Sequence, residues 1–93
     1  MKIGILKETN KGEKRVSISP KIAKQLIDDG FEVIVEEGAG SHSSYKNSYY
    51  RDMGALVEKR GVVFKEANVL VRINPFDNED LKLVNKEIGR AHV

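Results

Sequence analysis

The sequence predicts an α/β domain in which a mainly parallel sheet carries helices on both faces, giving three layers. Two observations predict this class. Short apolar runs with a β-branched bias alternate along the chain with segments in which apolar residues recur at helical spacing. Glycine and proline separate these segments. Consecutive strands joined by helices imply parallel crossovers, and 93 residues are enough for one domain.

The first strand and helix are the clearest elements. Residues 2–6 (KIGIL) form an apolar run that predicts a buried strand, and a polar loop follows over residues 7–14. Ser19 can cap a helix whose first residue is proline, where the missing N–H costs nothing. Gly30 supplies the C-terminal stop. The pattern therefore predicts a helix over residues 20–29, with four apolar positions on one side: Ile22, Ala23, Leu26 and Ile27.

The rest of the chain continues the alternation. The predicted elements are a strand at 31–36, a short helix near 47–53, a brief strand at 55–57, a helical turn at 61–67, a strand at 69–73 ended by Pro75, and an amphipathic helix at 78–86. About four strands result, in a flavodoxin- or Rossmann-like outline. Residues 90–93 begin a further structural element that is then cut off, so we expect a truncated piece of a larger protein.

Composition disfavours several classes of protein. The 16 basic and 14 acidic side chains are mixed along the chain, so the net charge of +2 does not favour a nucleic-acid partner. There is no cysteine, and His42 and His92 lie too far apart to suggest a metal site. No apolar run approaches the ~20 residues that span a bilayer, and no signal peptide is visible. We expect a cytoplasmic location.

The glycines after the second strand invite a comparison with dinucleotide-binding loops. Gly38 and Gly40 could open a G-x-G-x-x-G fingerprint, but Ser43 stands at the third glycine position and no helix begins at once. We interpret the segment as a tight turn and predict no cofactor-binding residue in it.

Three residues are candidates for a substrate-binding cleft. Arg15 follows the loop at the carboxyl end of the first strand, where open α/β sheets bind ligands, although a solvated surface arginine is the simpler interpretation. Arg72 lies inside a strong strand, so it either faces a cleft or is matched to a carboxylate. Asn74 follows that strand and can join the same cleft. Lys7 and Glu8 are interpreted as a local ion pair of little energetic value.

Several motifs, in order, resemble those of one enzyme family. KIGILKET, GEKRVSISP, KIAKQLIDDGFEV, VEEGAG and MGA resemble the opening of the alanine dehydrogenase and nicotinamide nucleotide transhydrogenase family over residues 1 to about 89. The resemblance implies that residues 1–93 are the N-terminal domain of a two-domain NAD(H)-dependent enzyme whose dinucleotide-binding domain is absent from this chain. In alanine dehydrogenases the arginine matching Arg15 holds the substrate carboxylate. Asn74 stands where those enzymes have a second lysine, so the transhydrogenase alpha subunit is preferred.

That preference carries further expectations. The parent would transfer hydride between NAD(H) and NADP(H), coupled to proton translocation, and NAD(H) would bind the second domain rather than this chain tightly. The resemblance implies no catalytic residue here. Implied partners are the dinucleotide-binding domain, the membrane and NADP-binding components and further copies in a homo-oligomer, with the parent peripheral on the inner membrane. The alternatives are an alanine dehydrogenase-like substrate domain and a non-catalytic stand-alone module.

Overall fold

The elements follow the predicted order. The computed structural model describes residues 1–74 and the backbone of residues 89–92, so Pro75 and the helix predicted at 78–86 lie outside the described residues. In chain order the elements are β1 (Lys2–Ile5), α1 (Pro20–Asp28), β2 (Glu32–Glu36), α2 (Asn47–Asp52), β3 (Leu56–Glu58), α3 (Arg60–Glu66), β4 (Val69–Arg72) and β5 (Gly89–His92). A short 3₁₀ turn, Ser41–Ser43, lies between β2 and α2.

The five strands within the described residues are all parallel and lie in the order β3-β2-β1-β4-β5. The predicted α/β class is confirmed, but the sheet has one strand more than the four or so predicted. β5 pairs with β4 from Gly89 opposite Val69 to His92 opposite Arg72. Its four residues, GRAH, contain no apolar run, which is why the sequence indicated only the start of an element there.

Two apolar clusters cover the two faces of the sheet, because successive strand residues point to opposite sides. One cluster packs the sheet against α1 and α2 and contains Ile5, Ala23, Val33, Val35, Ala39, Tyr50 and Ala55. The other packs it against α3 and contains Leu6, Ile34, Val63, Phe64, Ala67 and Leu70. The predicted arrangement of helices on both faces, in three layers, is therefore confirmed.

Helix α1 begins and ends as its sequence predicts. The Ser19 hydroxyl oxygen accepts a hydrogen bond from the backbone N–H of Ile22 at 3.3 Å, and proline occupies the first helical position. At the other end Gly30 has φ +100°, a conformation that few side chains tolerate. Its N–H donates to the Ile27 carbonyl oxygen at 3.0 Å, which closes the last turn.

Helix α3 packs directly on the backbone of β1. A Cβ added to Gly4 would lie 2.7 Å from the Cβ of Ala67, so only glycine allows this approach. The packing places the first residue of α3, Arg60, at the carboxyl end of β1, where its guanidinium lies 3.4 Å from the Lys7 carbonyl oxygen. The helical turn predicted at 61–67 is confirmed as a seven-residue helix that begins one residue earlier.

Candidate functional site

The candidate site lies where the carboxyl ends of β1 and β4 meet. These two strands are neighbours at the centre of the sheet, and the chain proceeds outward from them in opposite directions, to β2 and β3 on one side and β5 on the other. Such a reversal of strand order is where open α/β sheets form their ligand-binding crevice. All three predicted site residues, Arg15, Arg72 and Asn74, belong to the segments that follow or end these strands.

Arg72 is matched to a carboxylate, one of the two alternatives left open for it. Its side chain is completely buried, and its Nε lies 3.6 Å from Oε1 of Glu8, whose side chain is only 2% exposed. Its Nη2 also donates to Thr9 Oγ1 at 3.3 Å and to Asn10 Oδ1 at 3.4 Å. The guanidinium is therefore used to hold the start of the loop that follows β1, and Glu8 does not form the predicted pair with Lys7.

Glu8 also ties the ends of the two strands together. Its carboxylate accepts hydrogen bonds from the backbone N–H groups of Ile73 at 2.8 Å and Asn74 at 3.1 Å. A third bond comes from the Asn74 side-chain amide, also at 3.1 Å. A buried carboxylate needs such donors to offset the loss of its hydration. Glu8 thus fixes the segment after β4 against the loop after β1.

Arg15 forms a second pair, with Glu13. Its Nε and Nη2 each lie 2.9 Å from a different oxygen of the Glu13 carboxylate, which is the bidentate geometry of a strong arginine–carboxylate pair. The Asn74 amide donates to the same carboxylate at 3.1 Å. The hydrogen bond from the Arg15 side chain is the main cause that lowers the pKa of Glu13 from 4.5 to about 2.

The two pairs form one continuous chain of contacts. Asn74 donates to Glu8 on one side and to Glu13 on the other, so the order of contacts is Arg72, Glu8, Asn74, Glu13, Arg15. Sequence analysis singled out the two arginines and the asparagine, and the structure brings all three together. The sequence analysis did not identify Glu13, and it assigned Glu8 only to a pair with Lys7.

Glu36 anchors a neighbouring part of the same edge. It lies at the end of β2, where its Oε1 accepts from Arg60 Nη1 at 2.6 Å and from the backbone N–H of Lys7 at 2.9 Å. The guanidinium of Arg60 also lies over the Phe64 ring, 5.5 Å from its centroid. Lys7, the first residue of the loop after β1, is therefore held by the end of β2.

A cavity of about 450 Å³ opens beside these contacts, lined by residues 7–14 and His42. The hydroxyl of Ser43 donates to the Lys14 carbonyl oxygen at 2.7 Å, which joins the loop after β2 to the loop after β1. Both glutamates of the contact chain reach the cavity wall, together with Lys7, Lys11 and Lys14. The cavity has the size for a small ligand, and its wall carries both cationic and anionic side chains.

The glycines after β2 form the predicted tight turn and do not fit a dinucleotide. Gly38 has φ +80°, and its N–H already donates to Asn47 Oδ1 at 2.8 Å. A Cβ on Gly40 would lie 2.7 Å from the Cβ of Tyr45, so this glycine is required by packing. Dinucleotide-binding loops instead leave backbone N–H groups free at a helix N-terminus for the pyrophosphate. We therefore assign no nicotinamide-nucleotide contact to this turn.

Metal clusters and membrane-spanning helices are both absent from the residues that the structure describes. Among those residues, no group of three or more histidine, aspartate or glutamate side chains is placed to hold a metal ion. No helix in this part of the chain is long and apolar enough to cross a membrane.

Comparison with known proteins gives consistent matches. Residues 4–89 match the family profile described as alanine dehydrogenase/PNT, N-terminal domain. An NAD(P) transhydrogenase alpha subunit of Rhodospirillum rubrum is 49% identical over 57 residues, which are 61% of this chain and 15% of that protein. The alanine dehydrogenase of Staphylococcus epidermidis is 31% identical over 88 residues, or 95% of this chain and 24% of that protein.

A solved structure extends the match to three dimensions. The crystal structure of a transhydrogenase from Sinorhizobium meliloti superimposes with a TM-score of 0.90 at 28% identity, covering 97% of this chain and 27% of that one. The chain thus spans about a quarter or less of the length of these relatives.

Proposed function

Because the chain belongs to the alanine dehydrogenase/PNT N-terminal domain family, we propose that it is the N-terminal portion of an NAD(P) transhydrogenase alpha subunit. Relatives in this family are oxidoreductases, a transhydrogenase and a dehydrogenase among them. The parent protein would exchange hydride between NAD(H) and NADP(H), coupled to proton translocation across a membrane. This chain would support that reaction without carrying it out.

The proposal rests on the contacts of Arg15 and Asn74, which occupy the two positions where an alanine dehydrogenase would need a cation to bind its substrate carboxylate. Nε and Nη2 of Arg15 are both bonded to Glu13, so a substrate carboxylate would have to displace Glu13 to use this edge of the guanidinium. The second position holds Asn74, a neutral amide bonded to two glutamates, instead of a lysine. A substrate carboxylate would therefore meet an arginine already paired with a glutamate at one place and no cation at the other. The identity of 49% with a transhydrogenase subunit points the same way.

In the proposed parent, the contacts around Glu8 would have a positioning role. The buried Arg72–Glu8 pair and the hydrogen bonds from residues 73 and 74 hold the loop after β1 at the carboxyl edge of the sheet. That edge would face the dinucleotide-binding domain, which would hold NAD(H). Further partners in this proposal are the membrane and NADP-binding components and other copies of the subunit in a homo-oligomer.

An alanine dehydrogenase-like enzyme is the second candidate. It is favoured by the position of Arg15 beside the crevice and by a match with alanine dehydrogenase that covers 95% of the chain. In that case a substrate carboxylate would displace Glu13 from Arg15, and binding would proceed without the second lysine. The two candidates differ in the substrate that accepts hydride from NADH.

Assays of the parent protein separate the two candidates. With its partner components added, the parent is expected to pass hydride from NADH to an analogue of NADP⁺ that is spectroscopically distinct from it. The same preparation should oxidise no NADH when pyruvate and ammonium are supplied instead. NADH oxidation that depends on pyruvate and ammonium, with no exchange between nicotinamides, would replace the proposal with the alanine dehydrogenase alternative.

A further inference from the structure

Three lysines, Lys7, Lys11 and Lys14, line the cavity of about 450 Å³ beside the loop after β1. Within residues 1–74, none of the three ammonium groups forms an ion pair with a carboxylate. Like charges gathered around one concave surface repel one another, and together they produce a positive potential inside it. The cavity therefore favours an anion.

The two carboxylates of the cavity wall are already matched to cations. Glu8 lies 3.6 Å from the buried guanidinium of Arg72, and Glu13 lies 2.9 Å from the guanidinium of Arg15. The charge of each glutamate is therefore offset by its own arginine. The charge of the lysines is left for a ligand to balance.

The backbone of Lys7 is fixed from two sides. Its N–H donates to Glu36 Oε1 at 2.9 Å, and its carbonyl oxygen accepts from Arg60 Nη1 at 3.4 Å. Its side chain extends over the turn after β2, where a Cβ added to Gly38 would lie 3.8 Å from the Lys7 Nζ. Lys7 is half-buried, whereas the other two lysines are exposed. Its charge is therefore the least screened by water and salt.

The type of cation in the wall favours a phosphate over a carboxylate. Arginine binds a carboxylate through two parallel hydrogen bonds, but among the described residues no arginine lines this cavity. The ammonium group of lysine is a compact point charge with three donors, which suits the oxygens of a phosphate. His42 lies on the same wall and can donate a further hydrogen bond.

We propose that this cavity binds the diphosphate group of a small molecule, with Lys7, Lys11 and Lys14 as its cationic contacts. The site lies between the loops after β1 and β2 and needs no contact from Arg15 or Asn74. The inference goes beyond the proposed function, because it concerns anion binding by this chain and holds whatever reaction the parent catalyses. The diphosphate can be a free anion or part of a nucleotide.

The test is a titration of the ¹⁵N-labelled chain with inorganic pyrophosphate and, separately, with ADP, followed by backbone amide NMR. The signals of residues 7–14 and His42 are expected to shift. Lys7→Met should weaken pyrophosphate binding about tenfold and Lys11→Met about threefold, because the charge of Lys11 is exposed and better screened. Tighter binding of ADP than of pyrophosphate would assign the group to a nucleotide, and equal or weaker binding of ADP would assign it to the free anion.

Lys65→Met is the matched control. It removes an equal charge from the exposed last turn of α3, at the opposite edge of the sheet, and should leave pyrophosphate binding unchanged. Acetate, which carries a single carboxylate, should bind at least about tenfold more weakly than pyrophosphate.

Three results would overturn the proposal. Pyrophosphate could leave the signals of the cavity residues unshifted, acetate could bind as tightly as pyrophosphate, or Lys65→Met could weaken binding as much as Lys7→Met. If Lys7→Met does not fold, Lys11→Met and Lys14→Met take its place in the comparison with Lys65→Met, because both lysines are exposed.

Discussion

Two arginine–carboxylate pairs lie at the same edge of the sheet, and they differ in burial more than in chemistry. Arg72 and Glu8 are 0% and 2% exposed, with 3.6 Å between Nε and Oε1. Arg15 and Glu13 are 72% and 12% exposed, with 2.9 Å between Nη2 and Oε1. The shorter pair is the exposed one. Distance is therefore a poor guide to the importance of an ion pair, because burial decides what its loss would expose.

The difference assigns the two pairs different roles. Removing one partner of the buried pair leaves a charge in an apolar interior, which proteins tolerate badly. Removing Glu13 leaves the exposed Arg15 guanidinium in water, and removing Arg15 opens the Glu13 carboxylate to water. Arg72 and Glu8 thus fix the framework of the crevice, whereas the pair of Arg15 and Glu13 can open without leaving a charge in an apolar interior. Asn74 contacts both glutamates and connects the buried pair to the exchangeable, exposed pair.

The largest effect is expected from Arg72→Met. This change keeps an apolar stem of similar length but leaves Glu8 buried without its cation, so we expect a loss of about 3–5 kcal/mol in the free energy of unfolding. Urea denaturation followed by circular dichroism measures it. Arg15→Met is the matched control and should shift the urea midpoint much less. Equal shifts for the two variants would abolish the distinction between the pairs.

Glu8→Gln should rank second. The amide keeps one acceptor oxygen but loses the charge opposite Arg72 and places an N–H₂ group among donors from residues 73 and 74. A loss of about 1.5–3 kcal/mol in unfolding free energy is expected from the hydrogen bonds to the charged group. Glu13→Gln is the control, measured by the same urea titration. A larger loss for the control than for Glu8→Gln would contradict the comparison.

Asn74→Ala tests the connection between the two pairs. It removes two hydrogen bonds to carboxylates, and we expect a loss of about 1–2 kcal/mol by urea denaturation. Asn68→Ala is a suitable control, because Asn68 accepts one bond from the backbone N–H of Lys2 at the opposite edge of the sheet. In the Asn74 variant the Glu13 pKa should also rise, since one of its donors is gone. An unchanged pKa would argue that Asn74 does not contact Glu13 in solution.

The smallest effect on stability is expected from the titration of Glu13. The pKa of Glu13 is lowered from 4.5 to about 2 in the folded chain. Between these two pH values the folded state therefore binds fewer protons than the unfolded chain. The pair therefore stabilises the fold above pH 4.5, and this contribution is lost as the pH falls to about 2. A ¹³C NMR titration of the Glu13 carboxyl measures the pKa directly. Arg15→Met should raise it toward 4.5, and an unchanged value would show that Arg15 is not its main partner.

Local signals predicted the framework of the fold well. Helix α1 could be predicted because the cap at Ser19, the proline after it and the stop at Gly30 all lie within its own sequence. Strand β5 could not, because its identity as a strand comes from pairing with β4 and its four residues carry no strand pattern of their own.

The sequence contained a signal for one of the two glutamates of the candidate site but not for the other. An arginine inside an apolar strand requires a partner, so Arg72 pointed to a carboxylate, and Glu8 follows the neighbouring strand where that partner had to lie. Comparing the residues that follow neighbouring parallel strands in the sequence could have identified Glu8 as this partner. Glu13 carried no such signal, because its contact with Asn74 depends on the path of a loop. Whether Arg15 binds a substrate in the parent stays a prediction.

The difference between the pairs is tested most directly by hydrogen exchange at the two arginine Nε–H groups, measured by ¹⁵N NMR under native conditions. If burial makes one pair fixed and the other exchangeable, the Arg72 group should exchange only when the domain unfolds, so that its rate follows global stability. The Arg15 group should exchange without unfolding, at a rate independent of added urea. Exchange of the Arg72 group at the rate of Arg15 would contradict the account, because both pairs would then open to solvent alike.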